Sequence, residues 1–294
     1  VLTVQWFPPS GSLPLLLDSA PLALIDVSGI SSTIAAPVTQ HSSSQIGTTV
    51  SGVAVDARTI TITLDIVVDA VADLWIQRQL LSAAFAFLPA KVGQFPALGT
   101  LRFSRDGLPD LDILAMPQTA PDIHIITDTY GTCDLTFYCP YPFYKDTVDS
   151  TALLQGTGGL TFPVQHPFQM TSYNITSIIT NSGTVPAPLL IRLYGDCTTP
   201  RLTNATTGAI LEVSGHVVAG SYLEINTDYG LKSVTLVDSL GNRSNLMGNI
   251  NLTLGTVPDI FPSLAVGTNV ITFSAATNVS GLARLFWRQR YSGI

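Results

Sequence analysis

The side chains able to do chemistry in this chain are few, and their spacing argues against catalysis. Three carboxylates, Asp106, Asp110 and Asp112, lie close together in the stretch SRDGLPDLD. A carboxylate pair working as acid and base has to face its substrate across a set separation. Asp110 and Asp112 fall on alternate positions, which on a short strand point the same way, so an acidic loop explains them better than a catalytic pair. His41, His124, His166 and His216 are scattered, with no two at ligand spacing. Cys133, Cys139 and Cys197 are too few for a disulfide framework and lack the spacing of a zinc knuckle. They are expected as reduced thiols in a core or an interface. No nucleophile elbow, phosphate loop, dinucleotide fingerprint or metalloprotease helix occurs. The chain is therefore read as a non-enzyme with no cofactor and no metal. What remains is aromatic. Trp287 could stack on a sugar ring, or it could fill a core together with Leu285 on one face of the closing strand.

The elements that would position these residues are organised around Arg58 to Pro89, where two hydrophobic periods meet. Thr59, Thr61, Thr63 and Asp65 alternate with Ile60, Ile62, Leu64 and Ile66, the period of a strand with one face in a core. A helix follows. Asp69 is placed to cap it, Asp73 lies near the positive end of its dipole, and Pro89 ends it. Leu74, Leu81 and Leu88 repeat along one face, widened by Trp75, Leu80, Ala84 and Phe85. The second half of the helix is apolar almost all round. Leu74, Trp75, Leu81 and Phe85 are therefore candidates for contact with a neighbouring subunit, although complete burial within one subunit explains them equally well.

Composition favours such contacts. Only 11% of the 294 residues are charged, 46% are hydrophobic, and mean hydropathy is +0.38. Typical globular domains are about 25% charged, so one subunit has little with which to cover itself. No apolar run approaches the roughly 18 residues of a membrane span, and none is expected. The surplus apolar surface points to self-association. Five Asn-x-Ser/Thr triplets, at Asn174, Asn204, Asn242, Asn251 and Asn278, are attributed to chance in a Ser/Thr-rich half.

Two domains are expected from the length, and composition sets their boundary. All ten Asn residues lie between Asn174 and Asn278. Up to Asp146 there are 13 acidic and 6 basic residues, and beyond it 7 of each. The predicted organisation is an N-terminal domain over 1–146, a linker with an edge hairpin over 147–167, and a C-terminal domain over 168–294. The first is read as a mainly β, antiparallel sandwich or barrel-like domain with one α-helix and a long hairpin, its tip at His41 to Thr49. Asp106-Gly107 marks a turn between short strands. Proline-broken Val1 to Pro37 is expected to supply edge strands. The second half reads as short alternating runs without a helix, the pattern of a β-sandwich.

Laid out in order, the phrases NSGTVPAPLLIRLYG, TNATTGAILEV, AGSYLEINTDYGLKSV, PSLAVGTNVITF and ARLFWRQRYSGI resemble the distal tail (Dit) proteins of siphophages. Gly52 before ARTITITL, the helix, and the Pro-aromatic segment CPYPFYKD agree with them. Asn226 departs from the resemblance, which leads one to expect Asp before that turn. The resemblance implies a structural virion protein of the phage tail tip, made in the host cytoplasm. Its N-terminal domain would close as a homo-hexamer ring, joining the tail tube protein to the tail-tip hub protein of the baseplate. Its C-terminal domain would be a galectin-like or carbohydrate-module-like sandwich facing outward, with receptor-binding proteins as further partners. A ring would multiply the acidic surplus, and a negative lumen would repel DNA phosphates and let the genome slide through without specific binding. Asp106, Asp110 and Asp112 are the candidates for that wall, against the simpler reading of a solvated turn. Two other functions compete: a lectin-like adsorption protein using Trp287, and a tail-tube subunit that stacks without limit.

Overall fold

The computed structural model describes residues 2–9, 11, 13–32, 35–85, 97–155, 173–251, 260–278 and 281–294. Pro89, Leu88 and His166 lie outside the described residues. The chain divides into two compact units, Val1–Thr147 with Tyr291–Ile294, and Val148–Arg290.

In the first unit an antiparallel sheet runs in the order Leu15–Leu16, Leu2–Phe7, Gly99–Arg105, Leu108–Pro117, Tyr130–Cys139, Arg58–Val67 and Leu22–Ser28. Asp122–Thr127 pairs with Tyr130–Cys139, and Tyr144–Asp146 with Leu108–Pro117. Among the described residues the sheet does not close into a barrel. Its two halves pair where Met116 and Pro117 meet Tyr138 and Phe137, with Gln118 N donating to Thr136 O at 2.8 Å, and both contribute to one core. The alternation read from Ile60 to Ile66 holds: Ile60, Ile62, Leu64 and Ile66 are all fully buried. They meet Val4, Trp6, Leu101, Phe103 and Ile113 in one cluster. The proline-broken start of the chain thus supplies more than an edge. Trp6 is fully buried at the centre of an aromatic group, 5.9 Å from Phe85 and 5.1 Å from Phe137 between ring centroids. Gly107 takes the turn between Gly99–Arg105 and Leu108–Pro117 with φ +75°, a conformation that residues with a Cβ rarely adopt.

The helix spans Val71–Ala84. Its N-cap is Ala70 in an extended conformation with no side-chain cap bond, one residue beyond the Asp69 expected from sequence. Asp73 does sit in the first turn. The predicted long hairpin is present as Ala35–Gln40 paired with Thr49–Val55, a two-stranded sheet of its own.

The second unit is a β-sandwich. One sheet has the order Ser150–Gln155, Leu282–Trp287, Leu190–Tyr194, Tyr222–Asn226, Ser233–Val237 and Arg243–Asn245. The other has the order Tyr173–Asn181, Gly267–Ala275, Arg201–Asn204 and Ala209–Glu212. Inward residues of both, among them Ile191, Leu193, Leu223, Leu285, Leu202, Ile271 and Phe273, form one core. Ser150–Gln155, within the stretch read as linker and edge hairpin, is an edge strand paired along its length with Leu282–Trp287. Three buried asparagines tie loops to this core. Asn204 donates to Ser263 O (2.8 Å) and Asn269 Oδ1 (3.1 Å), Asn269 donates to Ala265 O (2.8 Å), and Asn181 donates to Val185 O (3.0 Å). Burial of Asn204 also removes it as a glycosylation acceptor.

Candidate functional site

The acidic loop is built by the turn at Gly107, which leaves Asp106 exposed at its tip. Asp110 and Asp112 follow on the strand Leu108–Pro117, half-buried on the side away from the core. The two are not equivalent. Arg102, the register partner of Asp112 on Gly99–Arg105, grips it with Nε at 2.8 Å and Nη2 at 3.0 Å. That fork holds the Arg102 pKa above its ordinary value, through the hydrogen bond first and the charges of Asp112 and Asp110 beside it. Asp112 is therefore a compensated charge.

A larger acidic surface forms only through strand register. On the half-sheet formed by Leu22–Ser28, Arg58–Val67, Tyr130–Cys139 and Asp122–Thr127, the face opposite the core carries Asp26, Asp65, Asp134 and Asp122 on four neighbouring strands. Asp134 stands directly opposite Asp122, a like-charge placement that destabilises a sheet pair. Thr63 Oγ1 donates to Asp134 (2.7 Å), and Tyr130 Oη donates to Asp65 (3.1 Å), which raises the Tyr130 pKa. The signal was present in the polar half of the alternation, Thr59, Thr61, Thr63, Asp65. Its meaning needed the register that sets Asp134 and Asp122 beside it.

The helix residues separate into two sets. Leu74, Leu81 and Phe85 are at most 2% exposed and belong to the unit's own core, which removes them as subunit contacts. Trp75 is half exposed, and with Val71, Ile76 and Leu80 it forms an apolar outer face. The inward stripe is narrow, one residue per two turns, so the remaining apolar positions have no core to enter. The hairpin adds a second apolar surface: Val38, Val50, Val53 and Val55 are exposed along its strands and Ile46 at its tip. Contiguous exposed apolar surface of this kind marks interaction sites.

Trp287 is 8% exposed and packs in the core of the second unit beside Leu285. Its ring offers no face to a sugar, because the alternation that buries Leu285 buries it too. Asn226 accepts from Asp228 N (2.9 Å) and so caps its turn as an Asp would. The cysteines are buried thiols: desolvation pushes Cys133 and Cys139 up to about 12 and Cys197 up to about 11. Among the described residues no three His, Cys, Asp or Glu side chains come together as a metal site. A shallow cleft of about 340 Å³ beside the hairpin is lined by Ser31, Asp56, Arg58 and neighbours. The Arg58 guanidinium there is committed to structure, donating to Gly29 O (3.1 Å), Ser31 O (2.7 Å), Tyr144 Oη (3.2 Å) and Ser292 O.

An open antiparallel sheet with an α-helix and a separate two-stranded hairpin, followed by a two-sheet sandwich, is an arrangement similar to that of two solved phage proteins. The SPP1 Dit protein, described as a paradigm of the hub adsorption apparatus in phages that infect Gram-positive bacteria, matches over 99% of each chain with a TM-score of 0.63 at 13% identity. A chain of the phage P2 baseplate in its calcium-activated conformation matches over 100% of each chain with a TM-score of 0.50 at 10% identity. No protein-family model and no curated protein matches the sequence.

Proposed function

We propose that this chain is a structural virion protein of a phage tail hub, in which six copies close into a ring between the tail tube protein and the tip protein, without enzymatic activity. The observation that carries the reading is the full-length likeness to the SPP1 Dit fold, which takes in both units in order. Two surfaces support self-association. The helix face of Val71, Trp75, Ile76 and Leu80 and the hairpin valines are apolar, exposed and both in the first unit. This reading gives ring formation to that unit and outward contacts, such as receptor-binding proteins, to the sandwich.

The lumen is assigned to the acidic surfaces of the first unit. Asp106 and Asp110 remain candidates, Asp112 is a weaker one because Arg102 neutralises it, and the sheet face of Asp26, Asp65, Asp122 and Asp134 is added. A wall of that sign would keep DNA phosphates from adhering during passage. Mass in solution together with negative-stain images tests the assembly. Closed rings of six are expected. A monomer at all concentrations would overturn the hub reading, and long tubes would replace it with a stacking tube subunit. Lysine at Asp26, Asp122 and Asp134 together is expected to slow genome ejection from assembled particles, and unchanged ejection removes the lumen assignment.

A further inference from the structure

The solvent side of the six-stranded sheet in the second unit carries a cluster that its own packing does not explain. Alternation along Leu190–Tyr194, Tyr222–Asn226 and Leu282–Trp287 sends Ile191, Leu193, Leu223, Ile225, Ala283, Leu285 and Trp287 into the core. The same alternation sends Arg192 and Tyr194, Tyr222 and Glu224, and Arg284 to the opposite face. Register then makes neighbours of them. Tyr194 faces Tyr222 with ring centroids 5.1 Å apart, and Arg192 faces Glu224 with Nε 2.9 Å from Oε2. Arg243, from the edge strand Arg243–Asn245, reaches the second oxygen of the same carboxylate. The Arg192 guanidinium also lies 5.7 Å from the Tyr222 ring centre and 5.4 Å from that of Phe286.

The register on the other side of Arg192 is unfavourable. Its direct partner on Leu282–Trp287 is Arg284, so two guanidinium side chains stand opposite each other on adjacent strands. Like charges in that position destabilise a sheet. Glu224 is shared between Arg192 and Arg243, and Arg284 makes no ion pair among the described residues. The face therefore holds three Arg against one Glu, in a chain whose formal net charge is -7. A local rule broken with only partial compensation inside the fold marks a candidate functional surface, and here the charge that Glu224 leaves over calls for an anion. The rings beside it restrict the anion further. Half-buried, tilted Tyr194 and Tyr222 offer ring faces and hydroxyls to a flat, hydroxyl-rich group, and the ordered Arg192–Glu224 pair offers donors and an acceptor side by side.

We propose that this face is a binding site for anionic saccharides, glycans whose pyranose rings carry carboxylate or phosphodiester groups. Arg284 and Arg243 hold the anion, the Arg192–Glu224 pair bonds ring hydroxyls, and the Tyr194–Tyr222 pair lies against the C–H side of the ring. The site uses none of the surfaces assigned to ring assembly, so its test stands or falls separately from the hub reading.

The full-length protein is titrated against three glycan sets, neutral, uronate-bearing and phosphodiester-bearing, with inorganic polyphosphate and a single-stranded oligonucleotide as comparison anions. Saturable binding to one or both anionic sets is expected, and the two arms distinguish carboxylate from phosphodiester as the natural group. Arg284→Ala, a change at an exposed side chain outside the core, is expected to weaken it at least tenfold. Tyr222→Ala is expected to do the same, with Tyr222→Phe retaining most of it. An unchanged melting temperature of the second unit in Arg284→Ala shows that the loss is one of contact. The proposal is overturned by no binding to either anionic set, by neutral glycans binding as tightly, or by polyphosphate or oligonucleotide binding as tightly as the glycans. An Arg284→Ala variant that binds like the parent protein overturns it as well.

Discussion

Leu80 and Leu81 are adjacent, chemically identical, and assigned opposite duties, so replacing each by Ala separates folding from assembly. Leu81 is 1% exposed and Leu80 is 54% exposed. Buried Leu→Ala changes cost about 2 to 5 kcal/mol, the lower part of the range applying where the surroundings can collapse. Leu81 borders a partly open cleft of about 190 Å³ that Leu15, Leu22 and Ala84 also line, with Leu80 at its edge, so its neighbours have room to relax. A loss of about 2 to 3 kcal/mol is expected for Leu81→Ala, on the order of 5 to 10 °C in melting temperature for a unit of this size. Leu80→Ala, at an exposed helix position, is expected to stay within about 0.5 kcal/mol. Urea unfolding followed by tryptophan fluorescence reads both variants, since Trp6 reports from the centre of the first unit. Running it at two protein concentrations adds the second axis, because stability drawn from association depends on concentration. The Leu81→Ala shift should be the same at both. Leu80→Ala should unfold like the parent protein when dilute and fall behind when concentrated. Equal costs for the two, or a concentration-dependent shift in Leu81→Ala alone, would refute the division of the helix into inner and outer faces.

Three further outcomes are expected. Asn204→Ala should lower the stability of the second unit by roughly 1 to 3 kcal/mol, since it strands buried partners at Ser263 O and Asn269, while the first unit's transition in the same calorimetric scan stays put. Native protein at pH 8 should react with none of a thiol reagent, and unfolded protein with three equivalents per chain, because Cys133, Cys139 and Cys197 are buried with pKa values of about 12, 12 and 11. Asp146 has its pKa raised above 3.8, by burial first and against the lowering hydrogen bond from Tyr291. A raised carboxylate favours the fold when protonated, so its contribution is lost as pH climbs through the folded value. Asp146→Asn should therefore be more stable than the parent at pH 7, with the advantage shrinking toward pH 4 in thermal melts; an advantage that grows on acidification would contradict the sign.

Local signals carried the strands and turns, and long-range register carried most of what was missed. The alternation of Ile60 to Ile66 and the Asp106-Gly107 turn are visible in a few consecutive residues, because period 2 and a positive-φ position are properties of a short stretch. The helix was visible, but which of its apolar residues face inward was not. Leu74, Leu81 and Phe85 share a stripe with Trp75 and Leu80 close beside it, and only packing on Ile60, Leu64 and Trp6 decides between them. Trp6 itself was hidden by the prolines that follow it, although Val4 and Trp6 alternate as a buried strand should. The return of Tyr291–Ile294 to the first unit had no signal at all. It depends on Arg58, over two hundred residues earlier, donating to Ser292 O, and on Ile294 N donating to Ile30 O at 3.2 Å.

The same dependence on register changes what the acidic surplus means. Counted along the chain, 13 Asp against 6 basic residues up to Asp146 suggested one acidic loop. In the fold, the loop's Asp112 is neutralised by Arg102, while residues far apart in sequence, Asp26, Asp65, Asp122 and Asp134, converge on one sheet face, with His124 3.4 Å from Asp122. Repulsion there is tolerated because the strands are held from the other side by a dry core of Ile, Leu and Phe. The charge is thus not needed for the fold and works slightly against it. The second unit shows the opposite sign of the same exception, with Arg192 set against Arg284 over an equally well packed core. Each unit thus sets like charges together on a face that its own packing leaves free, Asp122 against Asp134 in the first and Arg192 against Arg284 in the second; under the proposals above the first would repel phosphates and the second would hold an anion.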